Sequence, residues 1–390
     1  MGSVINIMAL VVFATSLFSR SVDPIVPQIA MGLNVAPATA ALLSTGFTLP
    51  YALIQPLIGA VADMFSKTRL IIGCMIVLGV ASVTSALATN FETLMTLRVI
   101  AGCASGGVFP IALALVADRV PLAERQVALG RVLAAALTGN LLGATASGVI
   151  GDLIGWRGVF VTTGSICLLA LIVAVPALRG LGEKAGRFDL SNLLPNYRAI
   201  FSNPMAKYCF GAVFVEAVFM FGIFPYMAVM LSKEGETRAS IAGLVIAGFA
   251  IGGIAYTFSV SKLLALLGEK RSMRIGGMVI ALCLVVIALR APWQVEFVNF
   301  IVLGFGFYML HGCIHVYVTE LAPAARGTAM SAHTAFFFFG QAVGPVVYAV
   351  ALGGGIGLVP VLLFGAGAIA ITGWVCAFGL RHKTQAIRRF

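Results

Sequence analysis

The chain has 390 residues, of which 60% are hydrophobic and 10% charged, and its mean hydropathy is +1.05. Those values exclude a soluble globular domain and describe a polytopic membrane protein. The net charge of +11 would suit a nucleic-acid binder, but nineteen of the 25 Lys and Arg fall in alternate loops and the C-terminal tail. That alternation is the bias that orients membrane helices, so nucleic acid is excluded and both termini are expected to be cytoplasmic.

Apolar stretches of about 20 residues, the length that crosses a bilayer as a helix, start near residues 4, 38, 70, 93, 127, 158, 207, 239, 273, 295, 328 and 357. They predict an all-α integral membrane fold of twelve transmembrane helices. The first stretch lacks a basic leader and carries Arg20 and Asp23 in its distal part, so it is expected to stay in the membrane. Cys74, Cys103, Cys167, Cys209, Cys283, Cys313 and Cys376 are scattered singly through apolar segments and are expected to pack as small side chains.

Hydrophobicity breaks longest from Arg179 to Lys207. This predicts an N-terminal six-helix bundle over 1–180, a cytoplasmic linker over 181–206 and a C-terminal six-helix bundle over 207–390. The halves look like copies: Asp118, Pro121 and Arg125 recur as Glu320, Pro323 and Arg326, Gly139 and Gly143 as Gly340 and Gly344, and Pro27 as Pro225. Parallel repeats of this kind place a substrate site at the midplane between them.

Between the second and third stretches lies GAVADMFSKTR, Gly59 to Arg69. It resembles the signature loop of the major facilitator superfamily: Gly59, Asp63, Lys67 and Arg69 fit, whereas Met64 and Ser66 replace the usual Arg and Gly. In the repeat, Ala265 stands where Asp63 does. In the fourth stretch Leu94, Arg98, Gly102, Ala104 and Gly106 are similar to the superfamily's helix-four pattern around an intramembrane Arg. In the fifth, Gly130, Gly139, Gly143 and Gly148 resemble the motif of its antiport branches, with Ala144 in place of a Pro and Ser147 in place of a Gly. YALIQPLIG, from Tyr51 to Gly59, resembles the second helix of bacterial drug and sugar efflux permeases. The same glycines also have a packing role, since small residues four apart let membrane helices approach closely. Gly102, Gly139, Gly143, Gly148, Gly340 and Gly344 are the expected packing positions.

The resemblance implies two six-helix bundles in a bacterial-type inner membrane, working as a monomer by alternating access, with proton-coupled export of small amphipathic molecules. It implies protons, lipid and a small-molecule substrate as partners, and no cofactor. It also implies a cytoplasmic gate made of Gly59, Asp63, Lys67, Arg69 and Asp118, in which Asp63 meets the start of the eleventh helix and Lys67 reaches Asp118. No phosphate-cradling Gly loop, nucleophile elbow or HExxH pattern is present, so no enzyme is expected. The alternative is a facilitator or proton symporter for an organic anion, using Arg20 and Arg98.

Asp23 and Glu216 are the acidic residues expected inside the helices. Arg20 and Asp23, three apart, share a helix face and can pair. Burial favours the neutral form of a carboxyl and a neighbouring guanidinium its charged form, so Asp23 is either a proton carrier opposed by Arg20 or half of a static pair. Glu216 is a second protonation site or an anchor for a cation. Tyr308, His311 and His315 share a face of the tenth helix, where they line a polar cavity, sit as buried hydrogen-bonded groups or ligate a metal; with no third ligand of clear spacing, no metal is expected. His333, Phe337 and Gln341 form a similar face on the eleventh. The candidate substrate-binding residues are Tyr51, Gln55, Arg98, Asn140, Phe219, Tyr226, Tyr308, His311, His315, Phe337 and Gln341.

Overall fold

The computed structural model describes residues 2–64, 66–179 and 193–381, and among these all regular structure is helical. In hydrocarbon only a helix satisfies every backbone group of a single segment. The helices are α1 (Gly2–Ser16), α2 (Val26–Gly32), α3 (Pro37–Met64), α4 (Lys67–Ser85), α5 (Phe91–Arg119), α6 (Leu122–Arg179), α7 (Leu193–Phe201), α8 (Ala206–Glu216), α9 (Phe224–Lys233), α10 (Ala239–Ala288), α11 (Trp293–Leu321), α12 (Arg326–Gly353) and α13 (Leu358–Gly379).

Ten described segments are long and apolar enough to cross a membrane, and two of them are double length: Val127–Arg179 and Ala239–Ala288. The first, 53 residues long, would extend about 80 Å at 1.5 Å per residue, more than twice a hydrocarbon core of about 30 Å. Each double segment breaks at a glycine with positive φ, Gly155 (φ 75°) and Gly268 (φ 67°), so each makes two spans and the total is twelve. Gly357, just before α13, has φ 80° and ψ 176°, close to the φ 75° and ψ 172° of Gly155 at the corresponding turn of the first half. The repeat extends to this backbone detail, which side chains with a Cβ rarely adopt.

The first span is not one helix. α1 stops at Ser16, two 3₁₀ turns (Leu17–Ser19 and Asp23–Ile25) follow, and α2 resumes at Val26. Pro24 and Pro27 carry no amide proton for an α-helical ladder there. The seventh span is likewise α8, a π turn over Ala217–Phe221, then α9.

Packing divides the chain into two compact units, Met1–Asp189 with Pro225–Leu244, and Leu190–Phe224 with Val245–Phe390. In the first unit α6 lies on α1 and α4, and α5 on α3 and α4. Glycine makes these contacts possible: a Cβ at Gly139 would stand 2.6 Å from the Phe13 carbonyl oxygen, and those at Gly143 and Gly148 would press on the Leu17 and Ala239 carbonyls. The Asp152 carboxylate accepts from the Ala239 and Ser240 amides at 2.8 and 2.9 Å, capping the start of α10. Just before that start, Arg238 donates to both oxygens of Glu236 at 2.8 and 2.6 Å, and these bonds hold the Glu236 carboxyl below the usual carboxylate range. In the second unit α12 lies on α8 and the π turn, and α13 on α8. A Cβ at Gly340 would meet Ala217 Cβ at 2.7 Å, and one at Gly344 the Gly222 Cα at 2.6 Å. The cysteines of the described chain are all free thiols.

Candidate functional site

Two polar clusters lie buried inside apolar spans, one in each unit. The first is built on the broken first span. Asp23 opens the second 3₁₀ turn and is 1% exposed. Its Oδ2 is 3.3 Å from Arg20 Nη1, and its Oδ1 accepts from the Ser44 hydroxyl of α3 at 2.7 Å. The expected pairing of Arg20 with Asp23 is therefore present, although 3₁₀ turns and not a continuous helix face bring the two together.

Arg98 of α5 is 2% exposed. Its Nε donates to the Leu43 carbonyl at 3.4 Å, and its guanidinium lies over the Phe47 ring, 4.4 Å from the centroid. Gly102, one turn on, packs on the Phe47 carbonyl and on Pro50, which sets α5 close enough to α3 for this stacking. A charge at mid-membrane costs about 2.5–3.5 kcal/mol on the insertion scale, and one carbonyl with one ring offsets only part of that. Tyr51, one turn beyond Phe47, has its ring 6.4 Å away, and Gln55 donates to the Gly106 carbonyl at 2.8 Å, tying α3 to α5. Asn140 of α6 buries an amide oxygen without a partner.

The second cluster joins α8, α11 and α12. Glu216 is fully buried; its Oε2 is 2.9 Å from His311 Nδ1, and its Oε1 has no partner among the described residues. His333 of α12 comes to 5.0 Å from His311 and 5.2 Å from His315 between ring centroids, so three imidazoles share one site. His333 Nε2 is buried without a partner. Phe307 stacks on His311 at 4.5 Å and Phe337 lies 5.2 Å from it, while Phe221 touches both rings edge-on. Tyr308 turns outward from the histidines, onto Phe249 and Tyr256. Gln341 is buried on α12, two turns beyond His333. Among the described residues no three potential ligands converge in the geometry of a metal site.

One expected residue packs away from the histidines: Phe219 lies on Phe364 and Gly365 of α13, because the extra residue of the π turn rotates it off the histidine-facing side. Tyr226 is fully buried and falls in the first unit, with Asp23 and Arg98. One buried carboxylate is missing from the expected set, and the expectation that all remaining acidic residues lie in loops or at cytoplasmic ends does not hold. Glu296, in the first turn of α11, is 2% exposed and accepts from Asn299 at 3.0 Å. Its sequence signal was the Asn three residues on, one helical turn away.

Lys67 Nζ meets Asp118 Oδ2 at 2.6 Å, and Arg69 is exposed, its amide capped by the Ser66 hydroxyl at 3.4 Å. Gly59 and Asp63 end α3, and their side chains lie outside the described residues, as does the linker from 180 to 192.

Two helical units with buried charge inside apolar spans are the layout of a carrier, and comparison with known proteins decides its family. The family model described as Major Facilitator Superfamily matches residues 8–345. The chain belongs to this superfamily. It is thus a multi-pass membrane transporter. It is 24% identical to multidrug resistance protein 2 of Bacillus subtilis (strain 168), over 86% of this chain and 85% of that protein. It is also 24% identical to the quinolone resistance protein NorA of Staphylococcus aureus (strain N315), with 84% of each covered. The crystal structure of a D-xylose-proton symporter superposes with a TM-score of 0.74 over 96% of both chains at 16% identity, which is a likeness of fold.

Proposed function

We propose that this superfamily member is a proton-coupled antiporter that exports small amphipathic organic molecules by alternating access of two six-helix bundles, 1–180 and 207–390. The observation that carries the reading is Asp23: a carboxyl inside the membrane, bonded to Ser44 and opposed by Arg20. A proton arriving at Asp23 releases the guanidinium, and its departure restores the pair, so the local charge pattern follows the proton. Glu216 with His311 is a second proton-exchanging group of the same kind. The names of the multidrug and quinolone resistance relatives support export of aromatic organic compounds, and the rings of Phe221, Phe307 and Phe337 offer faces for such cargo.

The chain acts as a monomer in a bacterial-type inner membrane, both termini cytoplasmic. On the cytoplasmic side Asp63, Lys67 and Asp118 latch the halves, with Gly59 allowing close approach and Arg69 holding the loop at the surface. A second reading is favoured by Arg98, which forms no ion pair with a described residue: a facilitator or proton symporter in which Arg20 and Arg98 bind an organic anion. The test is a panel of lipophilic cations, neutral aromatics and organic anions in proteoliposomes with an imposed pH gradient of either sign. Proton efflux evoked by a cation or neutral aromatic, with uphill movement opposite to the proton, is the expected result. Movement of anions alone, or of any substrate with the proton, overturns antiport.

A further inference from the structure

In the second unit a groove of about 550 Å³ runs along the C-terminal half of α13, lined by Tyr208 of α8 and by Ile371, Trp374, Val375 and Phe378. The spacing of the α13 residues puts them on one helix face, and they are 64%, 46%, 43% and 62% exposed. Apolar exposure alone is ordinary on a membrane protein, since hydrocarbon covers it. The lining itself carries no charge, but two cations lie against its rings, which is not ordinary. The Arg274 guanidinium of α10 lies 4.7 Å from the centroid of Trp374 and 4.9 Å from that of Phe378, and Lys207 Nζ lies 5.1 Å from that of Tyr208. Neither cation forms an ion pair with a described residue, and Arg274 Nε is buried without a hydrogen-bond partner.

The backbone brings the two cations to one boundary. Tyr208 lies flat on Gly379, where an added Cβ would stand 2.9 Å from the ring, and Gly373 meets the Met273 carbonyl with only 2.7 Å to spare for a Cβ. So α8 and α10 flank the end of α13, and Lys207, in the first turn of α8, stands level with the last turn of α13. This is the boundary that the distribution of Lys and Arg assigns to the cytoplasm. The C-terminus of α13 carries a partial negative charge that repels an anion, so Lys207 and Arg274 must supply the attraction.

We propose that this groove is a site for one anionic phospholipid, its phosphate held between Lys207 and Arg274 and an acyl chain lying over Ile371, Val375 and Phe378. Aromatic rings at the headgroup level and two cations that form no ion pair with a described residue are what such a lipid recognises, and a zwitterionic lipid leaves the second cation unpaired. Each cation contributes about fivefold in affinity, so their joint loss weakens binding about 25-fold.

The test is native mass spectrometry of the full chain in detergent, titrated with phosphatidylglycerol or phosphatidylcholine, with inorganic phosphate as competitor. One phosphatidylglycerol should remain bound per chain in preference to phosphatidylcholine, phosphate should fail to displace it, and added salt should weaken it. K207Q/R274Q should abolish the preference, whereas the charge-matched control K233Q/K262Q should retain it. Thermal unfolding without lipid checks that the double variant is folded; if it is not, R274K, which keeps the charge but loses the planar stacking, should lower the preference partly. Equal retention of the two lipids by the native chain, equal loss in the control, displacement by phosphate, or an unaltered preference in a folded K207Q/R274Q or R274K overturns the site.

Discussion

Glu216 on α8 and His311 on α11 meet at 2.9 Å, and the other Glu216 oxygen has no partner among the described residues. A carboxylate half-bonded in this way and fully buried has room for a proton on its free oxygen. Glu216→Gln keeps the shape and a hydrogen bond to His311 but cannot exchange a proton. It should lower pH-gradient-driven transport about tenfold or more, a barrier change of about 1.4 kcal/mol or above, while equilibrium substrate binding changes less. Binding and vesicle transport measured side by side separate the two, and gradient-driven transport at the native rate would count against a proton role.

Asp23→Asn should leave Ser44 a partner and Arg20 a weaker one, so the fold should survive. Uphill transport should disappear and downhill exchange persist. Full accumulation of substrate by this variant under a pH gradient would remove Asp23 from the coupling mechanism.

The Lys67–Asp118 pair is short but partly exposed, with side chains 21% and 52% accessible. Exposed pairs contribute about 0–1 kcal/mol, so Lys67→Gln should move the unfolding temperature little. Its expected effect is on the balance of conformations. Cysteines introduced at the helix ends on the Lys67 side should label faster in the variant, and an unchanged labelling rate would contradict the proposed latch.

Gly344→Ala places a methyl 2.6 Å from the Gly222 backbone, where no flexible side chain can yield. Overpacking of this kind costs about 1–3 kcal/mol, read as a lower unfolding temperature in detergent. Gly130→Ala, with nothing within 4 Å of its Cβ, should be neutral or stabilising.

The Glu236 carboxyl, bonded by Arg238, titrates below the usual carboxylate range. A lowered folded-state value means that its contribution is present above the ordinary carboxylate range and is lost only as pH falls through the lowered value. Glu236→Gln should therefore leave the pH profile of transport near neutrality unaltered; a shifted profile would mean that this loop group takes part in coupling.

The spans were legible because apolar runs of bilayer length need no tertiary information, and the Arg20–Asp23 and Lys67–Asp118 pairs because spacing and loop chemistry implied them. The π turn was not. It packs against Gly340 and Gly344 of α12, contacts that exist only in the fold, and with it Phe219, expected among the substrate-binding residues, faces α13. Glu296 escaped because it stands in the first turn of its span, where a carboxyl is ordinarily solvated; in the fold it is buried, and Asn299 one turn on donates to it. His333 joined His311 and His315 only through folding, being far from them in sequence.

The contact of Gly344 with Gly222 has a mechanical meaning. Where Gly344 meets Gly222, backbone lies bare against backbone, and no side-chain rotamer at that contact can absorb a displacement. If Glu216 exchanges protons as proposed, a shift of the π turn that accompanies the change of charge would pass through this contact to α12, which carries His333 and Phe337. A methyl group at that junction would act as a spacer in a gear train between the two.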